Sequence, residues 1–141
     1  MVEYIAEGQG SYFQAKFITI TGDYSPHDVW DNTYAQVFEY TTNITNTFKD
    51  IIGKEHSDIE FYPAIGSHDL WPSNEFDFGK QYNNRMVGDL KAIWYDQGWL
   101  SRAEMHQFMK FGYYSKPLSH KGRVIVLNTN AANSQNSQLL K

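Results

Sequence analysis

Two short stretches hold the side chains best suited to chemistry: Gly22-Asp23-Tyr24 with His27 close behind, and Gly66-Ser67-His68-Asp69. Asp23 follows a glycine that ends an apolar run. A carboxylate there can bridge two cations, one on each oxygen; the competing role is a turn or helix-capping Asp. His27 sits in Ser25-Pro26-His27-Asp28-Val29-Trp30. Its imidazole can hydrogen-bond a phosphate oxygen or a leaving group. Alternatively, Ser25 or Asp28 caps the next helix and His27 is a solvent-facing neighbour. His68 follows a second apolar run. Asp69 beside it could orient the ring or hold its proton; otherwise His68 is a loop residue exposed after a turn.

The remaining histidines, His56, His106 and His120, show no ligand spacing with each other or with His68 and read as surface or satisfied residues. Asn43-Ile44-Thr45 is an N-glycosylation sequon, with Asn43 away from the buried line of its helix. Cysteine is absent, which rules out disulfides and thiolate metal sites within the chain. The net charge of −4, with no local Lys/Arg cluster, argues against a nucleic-acid partner. No apolar run approaches the ~20 residues of a membrane helix, and Met1 to Gly10 carries no signal-peptide pattern. Aromatic residues make up 16% of the chain. They read either as a core of large rings with wet polar tips or as a cleft for an apolar or sugar-bearing substrate. The 141 residues suffice for one domain.

The elements that must position these residues follow from periodicity. Phe17-Ile18-Thr19-Ile20-Thr21 reads as a strand ending at Gly22, and Ile59 to Ile65 as a second, with Pro63 near its end. Between them, Trp30, Tyr34, Val37, Thr41, Ile44, Phe48 and Ile51 or Ile52 make a helical stripe that Gly53 stops. Leu70 to Lys80 reads as a loop. A second helix is predicted from about Tyr82 to Gln97. A third follows, opened by a Ser101/Glu104 capping box with a Leu100/Met105 staple and ended by Gly112. Tyr113 to Ser115 predicts a short strand. Val124-Ile125-Val126-Leu127 predicts a strand covered on both faces. The Asn/Ser/Gln-rich stretch from Asn128 to Gln138 is expected to fray, leaving 131–141 as a disordered tail. Strands alternating with helices imply α/β architecture with mostly parallel pairing, in which ligands gather at the carboxyl ends of strands. Asp23 and His68 both lie just past such ends.

Taken together, Gly22-Asp23…His27-Asp28-Val29-Trp30 and Tyr62-Pro63-Ala64-Ile65-Gly66-Ser67-His68-Asp69 resemble the calcineurin-like metallophosphoesterases. The His-Asp-Val-Trp extension, Gly112-Tyr113-Tyr114-Ser115 and Val124-Ile125-Val126-Leu127-Asn128-Thr129-Asn130 are similar to the acid sphingomyelinase and sphingomyelinase-like phosphodiesterase branch. The resemblance runs from Phe17 to Asn130 and implies an αββα sandwich of mostly parallel strands with flanking helices. It also implies a two-zinc centre that hydrolyses a phosphodiester of a lipid or a nucleotide. By the same resemblance, Asp23 is the bridging metal ligand, Ser67 stands where the family has an Asn ligand, and His68 and His27 serve the transition state and the leaving group. Asp69 supports them, and a secreted or lysosomal glycoprotein is implied.

The chain departs from that pattern. The residues before Phe17 contain no His or Asp, where the family has an Asp-x-His pair, and no His follows His120, where the family has a Gly-His-x-His type motif. The hydroxyl of Ser67 is a poorer zinc ligand than an anionic or nitrogen donor. The expectation is a single partial domain over 1–141, lacking the first strand and the C-terminal metal-binding part, with little activity alone. The alternative is a non-catalytic remnant acting as an interaction module, associating through an exposed sheet edge.

Overall fold

Alternating β-branched residues at Phe17–Ile20 and the apolar Glu60–Pro63 stretch form β1 and β2, which pair in parallel. The register sets Phe17 against Glu60 and Ile20 against Pro63. Ala64 N–H donates to the Ile20 carbonyl at 2.7 Å, which carries the pairing just past the strand ends. Parallel pairing puts both carboxyl ends on one side, so the loops starting at Thr21 and Ala64 leave the sheet together. The computed structural model describes residues 15–53, 58–119 and 122–140. His56, His120 and the stretch from Met1 to Gly10 lie outside the described residues.

Helix α1 spans Tyr34–Phe48 and continues as a π-helical turn over Lys49–Gly53. The stripe holds from Val37 onward: Val37, Thr41, Thr45 and Ile52 are buried. Its expected first member is a correction. Trp30 lies outside the helix and is 81% exposed. The helix starts at Thr33, whose hydroxyl accepts from Gln36 N–H while the Gln36 side chain accepts from Thr33 N–H. Neither Ser25 nor Asp28 is the cap.

Helices α2, Arg85–Asp96, and α3, Arg102–Phe111, follow the predicted pattern. Asn84 caps α2, and the Ser101/Glu104 capping box forms. Gly112, at φ 73°, ends α3 in the left-handed conformation that glycine adopts without a steric cost. Trp94 of α2 and Phe108 of α3 are fully buried, with ring centroids 5.0 Å apart. Phe61 of β2 stacks on Trp99 at 4.5 Å. No helix among the described residues is long and apolar enough to cross a membrane.

Strands β3, Tyr114–Ser119, and β4, Gly122–Val126, form a separate antiparallel hairpin with Tyr114 opposite Val126. The described residues are thus mixed α/β, with one parallel and one antiparallel pair rather than mostly parallel strands. The apolar run of β4 is not covered on both faces: Ile125 is 67% exposed and Leu127, just beyond the strand, 63%. Alternation decides this, because residues two apart share a face and only Val126 is buried.

The expected disordered tail is a second correction. Thr129–Ala132 and Ser137–Leu140 form 3₁₀ turns, and Asn130 and Asn136 are buried. Asn136 Oδ1 accepts from Phe76 N–H at 3.2 Å, and its Nδ2 donates to the Phe76 carbonyl at 3.0 Å. One side chain thereby imitates a strand neighbour and ties the segment to the loop after β2. Ser137 and Gln138 both donate to the Glu75 carboxylate.

Candidate active site

The loop after β1 turns at Gly22 and Asp23, both left-handed, at φ 89° and 57°. Glycine and aspartate are among the residues that tolerate this region. In such a turn, successive backbone N–H groups can converge on one anion. Here the anion is internal. Asp69, fully buried, accepts Tyr24 N–H on Oδ1 at 2.7 Å and Asp23 N–H on Oδ2 at 2.9 Å. Oδ2 also accepts Gly66 N–H at 2.8 Å. Burial pushes the Asp69 carboxyl up to about 6, against the downward pull of these three bonds.

The two turns touch so closely that only glycine fits. A Cβ on Gly22 would lie 2.0 Å from Gly66 N, and one on Gly66 would lie 2.3 Å from Asp23 N. Asp23 returns the cross-link: its Oδ1 accepts His68 N–H at 2.8 Å and faces Ser67 Oγ at 3.5 Å. The result brings the rings of His27 and His68 edge to face, with centroids 4.9 Å apart. The sequence reading joined Asp23, His27, Ser67, His68 and Asp69, and the structure assembles all five. The role of Asp69 is different in kind. Its oxygens hold backbone amides of both loops, so it positions the loops and not the His68 ring.

Asp23 and Ser67 line an open cleft of about 470 Å³. Its other wall comes from Asn74, Asn130, Asn133 and Gln135. These amides were not anticipated. Their signal was the polar richness of the segment after β4, which also describes a fraying tail. Neither histidine ring lines this cleft, so the imidazole pair and the carboxylate face form two adjoining surfaces. His106 is away from both, against Tyr82 at 5.5 Å. Asn43 is exposed on α1.

Among the described residues no group of three or more His, Asp or Glu side chains is placed to hold a metal ion. Asp69 spends both oxygens on amides, and Ser67 offers a neutral hydroxyl. Asp23 is one carboxylate where two cations about 3.5–4 Å apart need several donors. The described residues do not by themselves fit a two-cation centre. What they can do is present paired imidazoles, held by a rigid two-loop scaffold, to an anionic group.

No family model matches the chain. It is 34% identical over 126 residues to the acid sphingomyelinase-like phosphodiesterase 3b of Mus musculus, covering 86% of this chain and 26% of that protein. It is 32% identical over 140 residues to the sphingomyelin phosphodiesterase B of Dictyostelium discoideum, covering 99% of this chain and 21% of that protein. With the cyclic GMP-AMP phosphodiesterase of Bos taurus it shares 29% identity over 130 residues, 90% of this chain and 27% of the relative. The chain thus spans about a quarter of the length of the curated relatives it matches. Over most of its own length it is similar to the acid sphingomyelinase-like phosphodiesterases, and these relatives support that family for it.

Proposed function

We propose that this chain forms the leaving-group side of a phosphodiester-hydrolysing site of the sphingomyelinase-like kind. The observation that carries the reading is the contact of His27 and His68 at 4.9 Å on two loops that a single buried carboxylate ties together. In the reaction, one protonated imidazole would hold a phosphate oxygen. The other would give its proton to the departing alkoxide as the oxygen of a water molecule bonds to phosphorus and the phosphorus–oxygen bond to the leaving group breaks. Asp23 would keep His68 in place through the backbone bond at 2.8 Å. The substrate is a phosphodiester of lipid or nucleotide type, the two kinds named by its relatives. The exposed Asn43 of the sequon supports a secreted or lysosomal setting, although Thr45 of the same sequon is buried.

Two zinc ions belong to the same reading, with Asp23 as a ligand, and they need donors beyond the described residues. The neutral hydroxyl of Ser67, where the resemblance places an Asn ligand, favours a second reading, in which the chain is a non-catalytic relative that retains the anion-facing loops and acts as an interaction module. Heteronuclear NMR of the chain titrated with inorganic phosphate distinguishes binding from its absence. Imidazole signals of His27 and His68 should shift together while His106 stays still. A parallel assay with bis(p-nitrophenyl) phosphate, with and without added zinc, separates the two readings. Turnover lost in His68→Ala supports the enzyme, whereas binding without turnover supports the module. Silent His27 and His68 signals would overturn both.

A further inference from the structure

The two loops remain side by side beyond the histidines. Asp69 binds Tyr24 N–H, His68 meets His27, and Trp71 meets both Asn32 and Tyr34. Trp71 Nε1 donates to the Asn32 carbonyl at 3.1 Å, and its ring meets Tyr34 edge to face at 6.1 Å. Arg85 covers the Tyr34 ring, 4.0 Å from its centroid. Here a pocket of about 500 Å³ opens, lined by Tyr34, Trp71, Glu75, Asn83 and Arg85 among others. It shares no lining residue with the Asp23 cleft.

The chemistry of this pocket selects its occupant. Its charges are engaged within the protein: Lys80 pairs with Asp77 at 3.5 Å, Arg85 approaches Asp89 at 4.0 Å, and Glu75 accepts from Ser137 and Gln138. A quaternary ammonium would meet the Arg85 guanidinium on the Tyr34 face, where it would need a bare ring. An acyl chain would strip water from the polar rim and give nothing back. Trp71 offers something else. Its indole is 46% exposed and held in one orientation by its own N–H bond, and Asn83 stands on the rim as an amide. A planar ring with an apolar face and hydrogen-bonding edges fits that combination. Trp71 follows His68 by three positions, at most about 11 Å of chain, a span on the scale of one nucleotide.

We propose that Trp71 is a specificity residue that stacks the nucleobase of an ester whose phosphate lies at His27 and His68. The proposal rests on the functional reading above and deepens it. The Tyr34 contact and the Asn32 bond make the platform rigid, so little side-chain freedom is lost on binding.

The test uses the whole chain and four phosphates: adenosine 5′-monophosphate, ribose 5-phosphate, phosphocholine and inorganic phosphate, with adenosine as a fifth probe. The Trp71 indole N–H and the imidazoles are followed by NMR. The nucleotide should bind about tenfold more tightly than ribose 5-phosphate and shift Trp71 and His68 together. Trp71→Ala should bring it down to the level of the sugar phosphate, and Trp71→Phe, which keeps a ring, should retain most of the difference. His68→Ala should weaken all four phosphates alike and leave the adenosine effect on Trp71 in place. Equal binding of nucleotide and ribose 5-phosphate, tighter binding of phosphocholine, or an unchanged ratio in a folded Trp71→Ala would overturn the proposal. Failure of the functional reading looks different: no phosphate moves His68, while adenosine still moves Trp71.

Discussion

The His27 and His68 rings meet edge to face at 4.9 Å, although each stands on a loop that leaves a different strand. Groups in contact act as a unit, and their effects do not add. His27→Ala and His68→Ala should each lower affinity for inorganic phosphate severalfold, and the double variant should be worse than either by no more than about twofold. Isothermal titration of the three variants reads this directly. Full additivity would mean that the two rings serve separate ligands.

The Asp69 carboxyl, pushed up to about 6 by burial, makes stability depend on pH. Unfolded, it titrates near ~3.9. The folded state therefore holds the proton more tightly. Its stabilising contribution is fully present below the unfolded value and is lost as pH rises through about 6. The loss amounts to about 3 kcal/mol. Urea midpoints should fall over that window and level off above it. Asp69→Asn should abolish that slope while being less stable throughout, because an amide NH₂ cannot accept a backbone bond. A slope that survives in the variant would assign the titration elsewhere.

Gly22→Ala and Gly66→Ala meet backbone rather than yielding side chains, at 2.0 Å and 2.3 Å. Overlap of this kind, with a left-handed φ of 89° at Gly22 as well, should cost more than about 3 kcal/mol at that position. Thermal unfolding measures it. Gly88→Ala, inside α2 with open space around it, should be neutral or stabilising.

Asn136→Ala leaves both polar groups of Phe76 without their side-chain partner. A loss of roughly 2–3 kcal/mol is expected, with faster amide exchange at Phe76 and through the Thr129–Ala132 turn. Exchange unchanged in that turn would show that the segment is held by something other than Asn136. Ile125→Thr on the exposed face of β4 serves as the contrast and should cost less than about 0.5 kcal/mol.

The elements that the sequence made legible are those with strong local punctuation. Ser101 with Glu104, and Gly112, mark α3 at both ends because capping chemistry is local. The pairing of Asp23 with His68 was legible because parallel strands deliver both loops to one side. What escaped notice depends on distant partners. The Asn-rich segment after β4 reads as frayed until Phe76 and Glu75 receive its side chains. Trp30 falls on the helical stripe by spacing, yet the Thr33 and Gln36 cap starts the helix after it. An acidic side chain next to a histidine suggests an imidazole partner. Only the left-handed Gly22-Asp23 turn shows that Asp69 is needed elsewhere.

Surface loops ordinarily tolerate insertions and deletions, since each can change length without consulting its neighbour. The Asp69 carboxylate removes that freedom here. Because one side chain grips amides of both loops, a residue gained or lost between Gly22 and His27 would displace His68 as well. The spacing within each loop is thus inherited jointly, and the two motifs can be expected to drift, or to decay, as one unit.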